Sequence, residues 1–197
     1  MFGIRLGMAM HVISAAVGPV RNLAAAVNRC NLDVEGRVAS PYASGLGCLA
    51  EEEREAGVTC IDMGGDTTSI AVFQSGKLVH LDVIPIGGRH ITDDILRRFS
   101  TEEVYAEKLK TLYGSAISAP EDEHEMLKVP LLGDRKACDM VARSQLIQII
   151  RTRQEETFEL VRSHLEQGAL AKGARHRVVL TGGASQLPGV RDLAAQV

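Results

Sequence analysis

A pair of glycines between two apolar stretches is the feature that most constrains how this chain folds. Residues 58–63 and 70–73 are mostly apolar, and Gly64-Gly65 joins them. Glycine allows positive φ angles and close approach of the backbone to a ligand, because it has no Cβ. The pattern predicts two short antiparallel strands. Their turn is either an ordinary hairpin, with glycines for geometry only, or a ligand-binding loop.

The residues around this turn favour an anionic ligand and a metal. Successive backbone N–H groups in such a turn form a concavity that binds anions, and this concavity would comprise Gly64, Gly65, Asp66 and Thr67. Asp62 precedes the turn. A carboxylate there can hold hydrated Mg²⁺, which prefers oxygen ligands and keeps its waters. The stretch therefore predicts a phosphate site, in which Asp62 holds the metal through water and positions the reacting water.

Composition limits the classes of function open to the chain. Its 197 residues allow one domain, or one domain and part of another. The net charge of −3 and pI near 6.1 give no basic field, so we expect no nucleic-acid partner. The four cysteines are widely spaced and form no Cys-x-x-Cys pair. They predict buried thiols of a reducing cytoplasm rather than a zinc site or a disulfide framework.

The first twenty residues allow two interpretations. An apolar run after Arg5 resembles a signal peptide, but His11 and Ser14 interrupt it. The alternative, which we favour, is a strand at about 9–17 that enters a helix at Gly18-Pro19. No run reaches the roughly 18 apolar residues that a membrane span requires.

Hydrophobic periodicity predicts further strands and helices along the rest of the chain. The predicted strands are 34–38, 78–86, 126–132 and one from 177 into a second paired-glycine turn. The predicted helices are 19–31, 41–55, one capped by Thr92 and ending at 99, 100–114, 144–167 and one from 187. The predicted connections include 115–125 and 168–173. Strands with crossover helices indicate an α/β fold. In such sheets ligands bind at the carboxyl ends of strands, where both paired-glycine turns fall.

The Asp-x-Gly-Gly-x-Thr pattern at 62–67 resembles the second phosphate loop of the actin-like ATPases. This superfamily includes actin, the large heat-shock chaperones, sugar kinases and bacterial filament proteins. The resemblance implies an actin-like (ribonuclease-H-like) fold with ATP and Mg²⁺ as cofactors. The superfamily usually has a third glycine where this chain has Asp66. A carboxylate repels phosphate, so we expect weakened nucleotide affinity unless Asp66 points away or helps to hold the metal.

Two further segments resemble the nucleoside-binding parts of the same superfamily. The turn containing Gly182, Gly183 and Ala184 resembles the adenosine motif, in which glycines let purine and ribose lie against the backbone. Its alternative is a plain strand-to-helix turn. Glu107 and Lys110 share one helix face at i and i+3, so they can contact ribose hydroxyls and the base or phosphate. Their alternative is a surface ion pair, which contributes little.

Longer segments resemble the FtsA family of bacterial actin-like cell-division proteins. They are 3–13, 83–95, 106–116, 129–130, 146–165 and 178–189. The resemblance implies an α/β actin-like lobe with a smaller inserted subdomain, truncated at both ends. The implied divisions are 1–36 as the end of an FtsA-specific inserted subdomain, 37–56 as a remnant of the first lobe, and 57–197 as the second lobe with 88–167 as its smaller subdomain.

The resemblance also implies what the chain does not contain. Family members have an earlier phosphate loop and end in an amphipathic helix that binds the membrane, and we expect this chain to be an internal piece with neither. We therefore expect weak or no ATP binding in isolation, at most slow ATPase activity, and poor solubility from exposed apolar surface.

The family implies an adaptor function at the cytoplasmic face of the inner membrane, at the division site. Its members bind ATP, polymerise like actin, link the FtsZ ring to the membrane and act with later divisome proteins. The FtsZ C-terminal tail is expected on 88–167, with Arg143 and Arg153 as contacts; a solvated helix face is the alternative for both arginines. Alternative functions are an actin-like ATPase or kinase, or a filament scaffold of the MreB or PilM type.

Overall fold

The computed structural model describes residues 7, 8, 10–167 and 177–197. Seven α-helices and six strands occur in this part of the chain. In order they are α1 (Val17–Asn28), α2 (Ser40–Cys48), α3 (Glu51–Ala56), β1 (Val58–Met63), β2 (Thr68–Gln74), β3 (Lys77–Ile84), α4 (Gly88–Phe99), α5 (Glu103–Tyr113), β4 (Met126–Leu131), β5 (Asp134–Ala142), α6 (Arg143–Gln167), β6 (Arg177–Thr181) and α7 (Val190–Ala194). Short 3-10 turns lie at Pro120–Glu123 and Gly183–Gln186.

A four-stranded sheet in the order β3-β2-β1-β6 forms the centre of the fold. β1, β2 and β3 are antiparallel neighbours, as the sequence predicted, and β6 pairs in parallel with β1. Every residue of β1 except Asp62 is buried. Because β1 and β6 run in the same direction, with Asp62 opposite Thr181, the two paired-glycine turns follow neighbouring strand ends. This topology confirms the mixed α/β class.

A second core lies among α4, α5, α6 and the β4–β5 hairpin. α6 belongs to both cores along its 25 residues. Its first half buries Leu146 and Ile150 against α4 and α5, and its second half buries Phe158 and Val161 in the sheet core. The helix therefore fixes the α4–α5 unit relative to the sheet, which positions the site described below.

α2 packs on the sheet beside β1 and β2. Tyr42 stacks on Phe73 with ring centroids 6.0 Å apart. A Cβ at Gly45 would overlap the Phe73 ring, so glycine lets the helix approach closely. Cys48 Sγ lies 3.5 Å from the buried Cys60 Sγ, and burial, together with a hydrogen bond and charge interaction with Cys48, raises the pKa of Cys60 to about 12.

The sequence predictions for the first forty residues were partly wrong. Residues 10–16 and 34–38 form no strand in the described structure, while residue 9 lies outside it. Strands persist where neighbouring backbone groups complete a ladder, and no described strand pairs with either segment. The predicted helix is present as α1, but it starts at Val17, so Pro19 is its third residue.

Three later predictions also need correction. Thr92 does not cap α4: the N-cap is Gly87, whose N–H donates to His90 Nδ1 at 3.1 Å, and Thr92 is inside the helix. The acidic residues after Leu49 form the separate helix α3, in which Glu53 accepts from the Ala50 N–H at 3.0 Å. Strand β5 was missed, although the turn before it was predicted. The predicted connection at 168–173 lies outside the described residues.

The apolar side chains near the start of the described chain are largely exposed. No residue of α1 is buried against the part that the structure describes. Leu23, Leu32 and Val38 are all well exposed. Within the same described residues, none of the helices has the length and apolar character to cross a membrane.

Candidate functional site

The two paired-glycine turns lie on the wall of one cavity of about 540 Å³. The turns contribute Gly64, Gly65, Gly183 and Ala184, and the segment after the second turn contributes the residues 186–188. The remaining lining comes from α4 and α5: Gly88, Arg89, Thr92, Glu103, Glu107, Lys110 and Thr111. Residues 64–65 and 183–184, which lie more than 115 positions apart in the sequence, therefore share one groove.

The first turn is joined directly to the start of α4. The Gly64 N–H donates to the Thr67 carbonyl at 2.9 Å. The Gly88 and Arg89 N–H groups donate to the carbonyls of Gly64 and Gly65, at 2.9 and 2.7 Å. A Cβ at residue 87 would lie 2.5 Å from the Gly65 oxygen. Glycine at 87 thus permits the contact that brings α4 against the turn.

The second turn is fixed by its contact with β1. Gly182 has φ of +87°, and a Cβ there would lie 2.5 Å from both Asp62 Oδ1 and the Met63 oxygen. The Ser185 hydroxyl donates to the Gly182 carbonyl at 2.7 Å. Glycine at 182 is therefore required both by the backbone conformation and by close packing.

Open space lies in front of both turns. A Cβ built at Gly65 or at Gly183 would meet no atom within 4 Å. Backbone is thus directly accessible on two sides of the groove, as the backbone cradle for a planar base and for phosphates requires. The residues present fit a nucleotide in this respect.

Asp62 lies beside the groove and is not part of its wall. Its Oδ2 accepts a hydrogen bond from the Ser44 hydroxyl at 2.6 Å, and its Oδ1 lies against Gly182. The carboxylate is half-buried between the ends of β1 and β6. In the described residues no group of three His, Cys, Asp or Glu side chains is placed to hold a metal by itself.

Glu107 and Lys110 form a buried network with Thr92. Lys110 Nζ donates to the Gly88 carbonyl at 2.9 Å and to Thr92 Oγ1 at 2.8 Å, and it lies 2.7 Å from Glu107 Oε2. The Thr92 hydroxyl donates to the same Glu107 oxygen at 2.6 Å. The ion pair is therefore present, with the Lys110 side chain only 11% exposed and that of Glu107 50% exposed.

The Glu107 carboxylate lines the groove and is stabilised in its ionised form. Burial alone would raise its pKa, but hydrogen bonds from Lys110 and Thr92, with the charge of Lys110, lower the pKa below its ordinary value. Its side chain remains 50% exposed. The hydrogen bonds to this carboxylate from described residues go to Oε2. Oε1 is therefore available to accept from hydroxyl groups in the groove.

Asp66 lies at the edge of the cavity, outside its wall, and pairs with Arg89. Arg89 Nη1 lies 3.4 Å from Asp66 Oδ1, and Nη2 lies 3.6 Å from Glu103 Oε1. These two negative charges, that of Asp66 first, raise the pKa of Arg89. Thr67 is exposed and contributes its carbonyl to the turn. Asp66 therefore lies close to the proposed phosphate site, and its effect on nucleotide affinity stays a prediction.

Arg153 lies outside this groove, on α6. Its guanidinium donates to both carboxylate oxygens of Asp94, at 2.6 and 3.0 Å, and to Glu156 at 2.6 Å. The side chain is a quarter exposed and lines a second cavity of about 630 Å³. It is therefore part of a surface depression between α4 and α6, not of a simple solvated helix face.

Arg143 also lies outside the groove, at the start of α6. It donates to the buried Asp122 at 2.9 Å, to Glu125 at 3.0 Å and to the Tyr113 carbonyl at 2.9 Å. These bonds join the end of α5 to the loop before β4. A role for either arginine in binding a partner stays a prediction.

Several groove residues were not in the sequence-predicted set. Gly88, Arg89, Thr92 and Glu103 all line the cavity. The Gly87-Gly88 pair after β3 was the available signal, because a third paired glycine at a strand end also permits close backbone approach. The three side chains gave no local signal, since Arg89 and Thr92 lie there through the packing of α4 on the first turn, and Glu103 through the position of α5.

The architecture of this chain is that of the actin-like ATPases. MreB5 of Spiroplasma citri, solved bound to ADP, superposes with a TM-score of 0.75 at 18% identity, over 93% of this chain and 59% of that one. A chain of the PilM–PilN type IV pilus biogenesis complex superposes with a TM-score of 0.67 at 20% identity, over 90% of this chain and 44% of that one. At these identities the likeness establishes the fold alone.

The particular family follows from the sequence. The family described as Cell division protein FtsA matches residues 59–197. Proteins of that name from Rhizobium meliloti and Pseudomonas aeruginosa are 46% and 36% identical to the chain over its whole length. The Escherichia coli K12 protein is 34% identical over 99% of it. The chain belongs to the FtsA family, and it spans 45% to 48% of the length of these three relatives.

Proposed function

We propose that this chain forms one side of the ATP site of an FtsA protein, which polymerises like actin and links the FtsZ ring to the cytoplasmic membrane at the division site. The supporting observation is that the two paired-glycine turns face one cavity, opposite the Thr92–Glu107–Lys110 network. MreB5, which shares the fold, was solved with ADP bound. Filament formation, later divisome partners and attachment to the membrane are part of the same proposal, and they rest on membership of the FtsA family.

The groove residues divide between the parts of a nucleotide. Gly182, Gly183 and Ala184 offer a flat surface to purine and ribose, and Glu107 Oε1 accepts from ribose hydroxyls. The amides of the first turn, at Gly64 and Gly65, bind phosphate oxygens.

Asp62 is the residue that would hold Mg²⁺, through water, beside these phosphates. ATP supplies the phosphoanhydride bond that hydrolysis cleaves. We propose slow hydrolysis at most, because Asp62, the candidate for positioning water, is already bonded to Ser44 and lies beside the cavity.

Titration with a fluorescent ATP analogue in the presence of Mg²⁺ tests this site. Glu107→Gln should weaken binding about tenfold, since a hydrogen bond to a charged group contributes about 1.5 kcal/mol. Glu159→Gln, on the exposed face of α6, is the matched control and should bind like the wild type. Equal affinities for the wild type and Glu107→Gln would contradict the assignment of Glu107. Because the chain forms only one side of the site, we propose that it binds weakly, and absence of binding by the folded chain at millimolar nucleotide would contradict the nucleotide site itself.

We further propose that the FtsZ C-terminal tail docks in the α4–α6 depression at Arg153. Arg153 is held in place by Asp94, and its remaining exposed fraction faces the depression. Arg143, at the start of the same helix, is the second expected contact. An FtsZ tail peptide should bind the chain with lower affinity after Arg153→Gln and unchanged affinity after Arg151→Gln, which removes an equal charge from α6 outside this depression. Equal loss in both variants would contradict a specific role for Arg153.

A further inference from the structure

The groove has an unusual balance of charge for a site that binds a polyphosphate. Glu103 and Glu107 line the groove and Asp66 lies at its edge, which gives three carboxylates. The cations among the described lining residues are Lys110 and Arg89. Lys110 is buried, and among the described residues its ammonium group contacts the Gly88 carbonyl, Thr92 and Glu107. Of these two cationic residues, Arg89 is therefore the one whose charged group is accessible to a ligand.

Arg89 is held beside the first turn by its own backbone. Its N–H donates to the Gly65 carbonyl at 2.7 Å, so its side chain starts next to the backbone that would bind phosphate. The side chain is 58% exposed, and that of Asp66 is 71% exposed. Arg89, in the first turn of α4, thus places a long cationic side chain at the edge of the groove. Its guanidinium reaches both the first paired-glycine turn and α5.

The present partners of Arg89 are weakly bound. Its contacts of 3.4 Å with Asp66 and 3.6 Å with Glu103 are longer than the 2.7–2.9 Å of strong charge-assisted hydrogen bonds. Exposed ion pairs of this kind contribute little to stability. A phosphate group, with several charged oxygens at short range, is a better acceptor for a guanidinium than either carboxylate at these distances.

We propose that Arg89 is a phosphate-binding residue of this groove and that Asp66 is its partner when no nucleotide is bound. The proposal rests on the proposed nucleotide site and adds a side chain to it. Asp66, which stands where the superfamily usually has a glycine, then keeps Arg89 beside the turn until a phosphate group binds. On binding, the phosphate oxygens take the place of the Asp66 carboxylate.

The test compares ADP with adenosine, which differ only in the phosphates. In calorimetric titrations with Mg²⁺, Arg89→Gln should bind ADP about tenfold more weakly than the wild type and adenosine equally well. Arg89→Lys, which keeps the charge, should recover part of the ADP affinity. Arg97→Gln removes the same charge from an exposed position of α4 outside the cavity wall, and should bind both ligands like the wild type.

The outcomes separate this proposal from the one on which it rests. If the wild type binds ADP and Arg89→Gln binds it equally well, the role of Arg89 is refuted and the nucleotide site stands. An equal loss for ADP and adenosine also refutes a phosphate contact. If the folded wild type binds neither ligand, both proposals fail. Thermal unfolding of each variant shows whether it is folded. If Arg89→Gln does not fold, the ADP and adenosine affinities of Arg89→Lys are compared with those of the wild type instead.

Discussion

Neighbouring glycines of the second turn have different structural roles. Gly182 has positive φ and no room for a Cβ, whereas Gly183 faces open space. Gly182→Ala should lower the free energy of unfolding by about 2 kcal/mol or more, because it adds backbone strain and a steric conflict with Asp62 and Met63. Gly183→Ala should change it by about 0.5 kcal/mol or less. Urea unfolding of the two variants measures the difference, and equal stability losses would contradict the geometry of this turn.

The network around Glu107 predicts a dependence of stability on pH. The pKa of Glu107 is lower in the folded protein than its ordinary value of 4.5. Its ionised form therefore stabilises the fold above about pH 4.5, and this contribution is lost as the pH falls through the lower, folded-state pKa. Because the side chain is half exposed, solvent limits the effect to about 0.5 kcal/mol.

Comparison with Glu107→Gln isolates this contribution. The difference in unfolding free energy between the wild type and this variant should be constant from about pH 6 to pH 8 and should shrink below about pH 4.5. Urea unfolding measured across this range provides the values. A difference that grows on acidification would show that the carboxylate is not stabilised in its charged form.

Sequence reasoning located the site residues that depend on local geometry. The paired glycines at 64–65 and 182–183 were found because a turn after a strand leaves a local pattern, and the i, i+3 spacing found Glu107 with Lys110. It did not find Arg89, whose position depends on the contact of α4 with the first turn. Nor did it show that Lys110 is buried, since that results from Thr92 and Gly88 of another helix.

At the scale of elements, the packing of α2 on the sheet gives a prediction with an internal control. Ala usually stabilises a helix interior relative to Gly by up to about 1 kcal/mol. Gly47→Ala should follow this rule, because its Cβ would meet no atom within 4 Å. Gly45→Ala should instead destabilise the fold by about 1–3 kcal/mol, because its Cβ would overlap the Phe73 ring. Thermal unfolding that shows the same change in both would contradict this packing.

Elements with a strong repeating pattern were predicted best. The β1–β3 meander and α6 were predicted within about two residues, because buried positions dominate their sequences. β5 was missed because its sequence, Asp134–Ala142, contains several charged residues and it is defined by pairing with β4. The segments 9–17 and 34–38 have apolar residues suited to a strand. In the described part, however, no neighbouring strand completes their hydrogen bonds.

At the scale of the whole molecule, the site depends on two cores joined by one helix. The sheet core holds both turns, the second core holds the α4–α5 wall, and α6 contributes buried residues to each. Distances across the groove are therefore set by packing between units, which a sequence pattern does not encode. The family resemblance predicted an actin-like fold, and the superposition on MreB5 confirms that fold.

The central claim is that the two turns line one nucleotide groove. Gly65→Val and Gly183→Val test it most directly, because each adds a side chain into open space at a different turn. Gly36→Val, also in open space but outside the cavity wall, is the control. In calorimetric titration with ADP and Mg²⁺, we expect both groove variants to bind at least about tenfold more weakly while the control binds like the wild type. Wild-type affinity in either folded groove variant would contradict the claim.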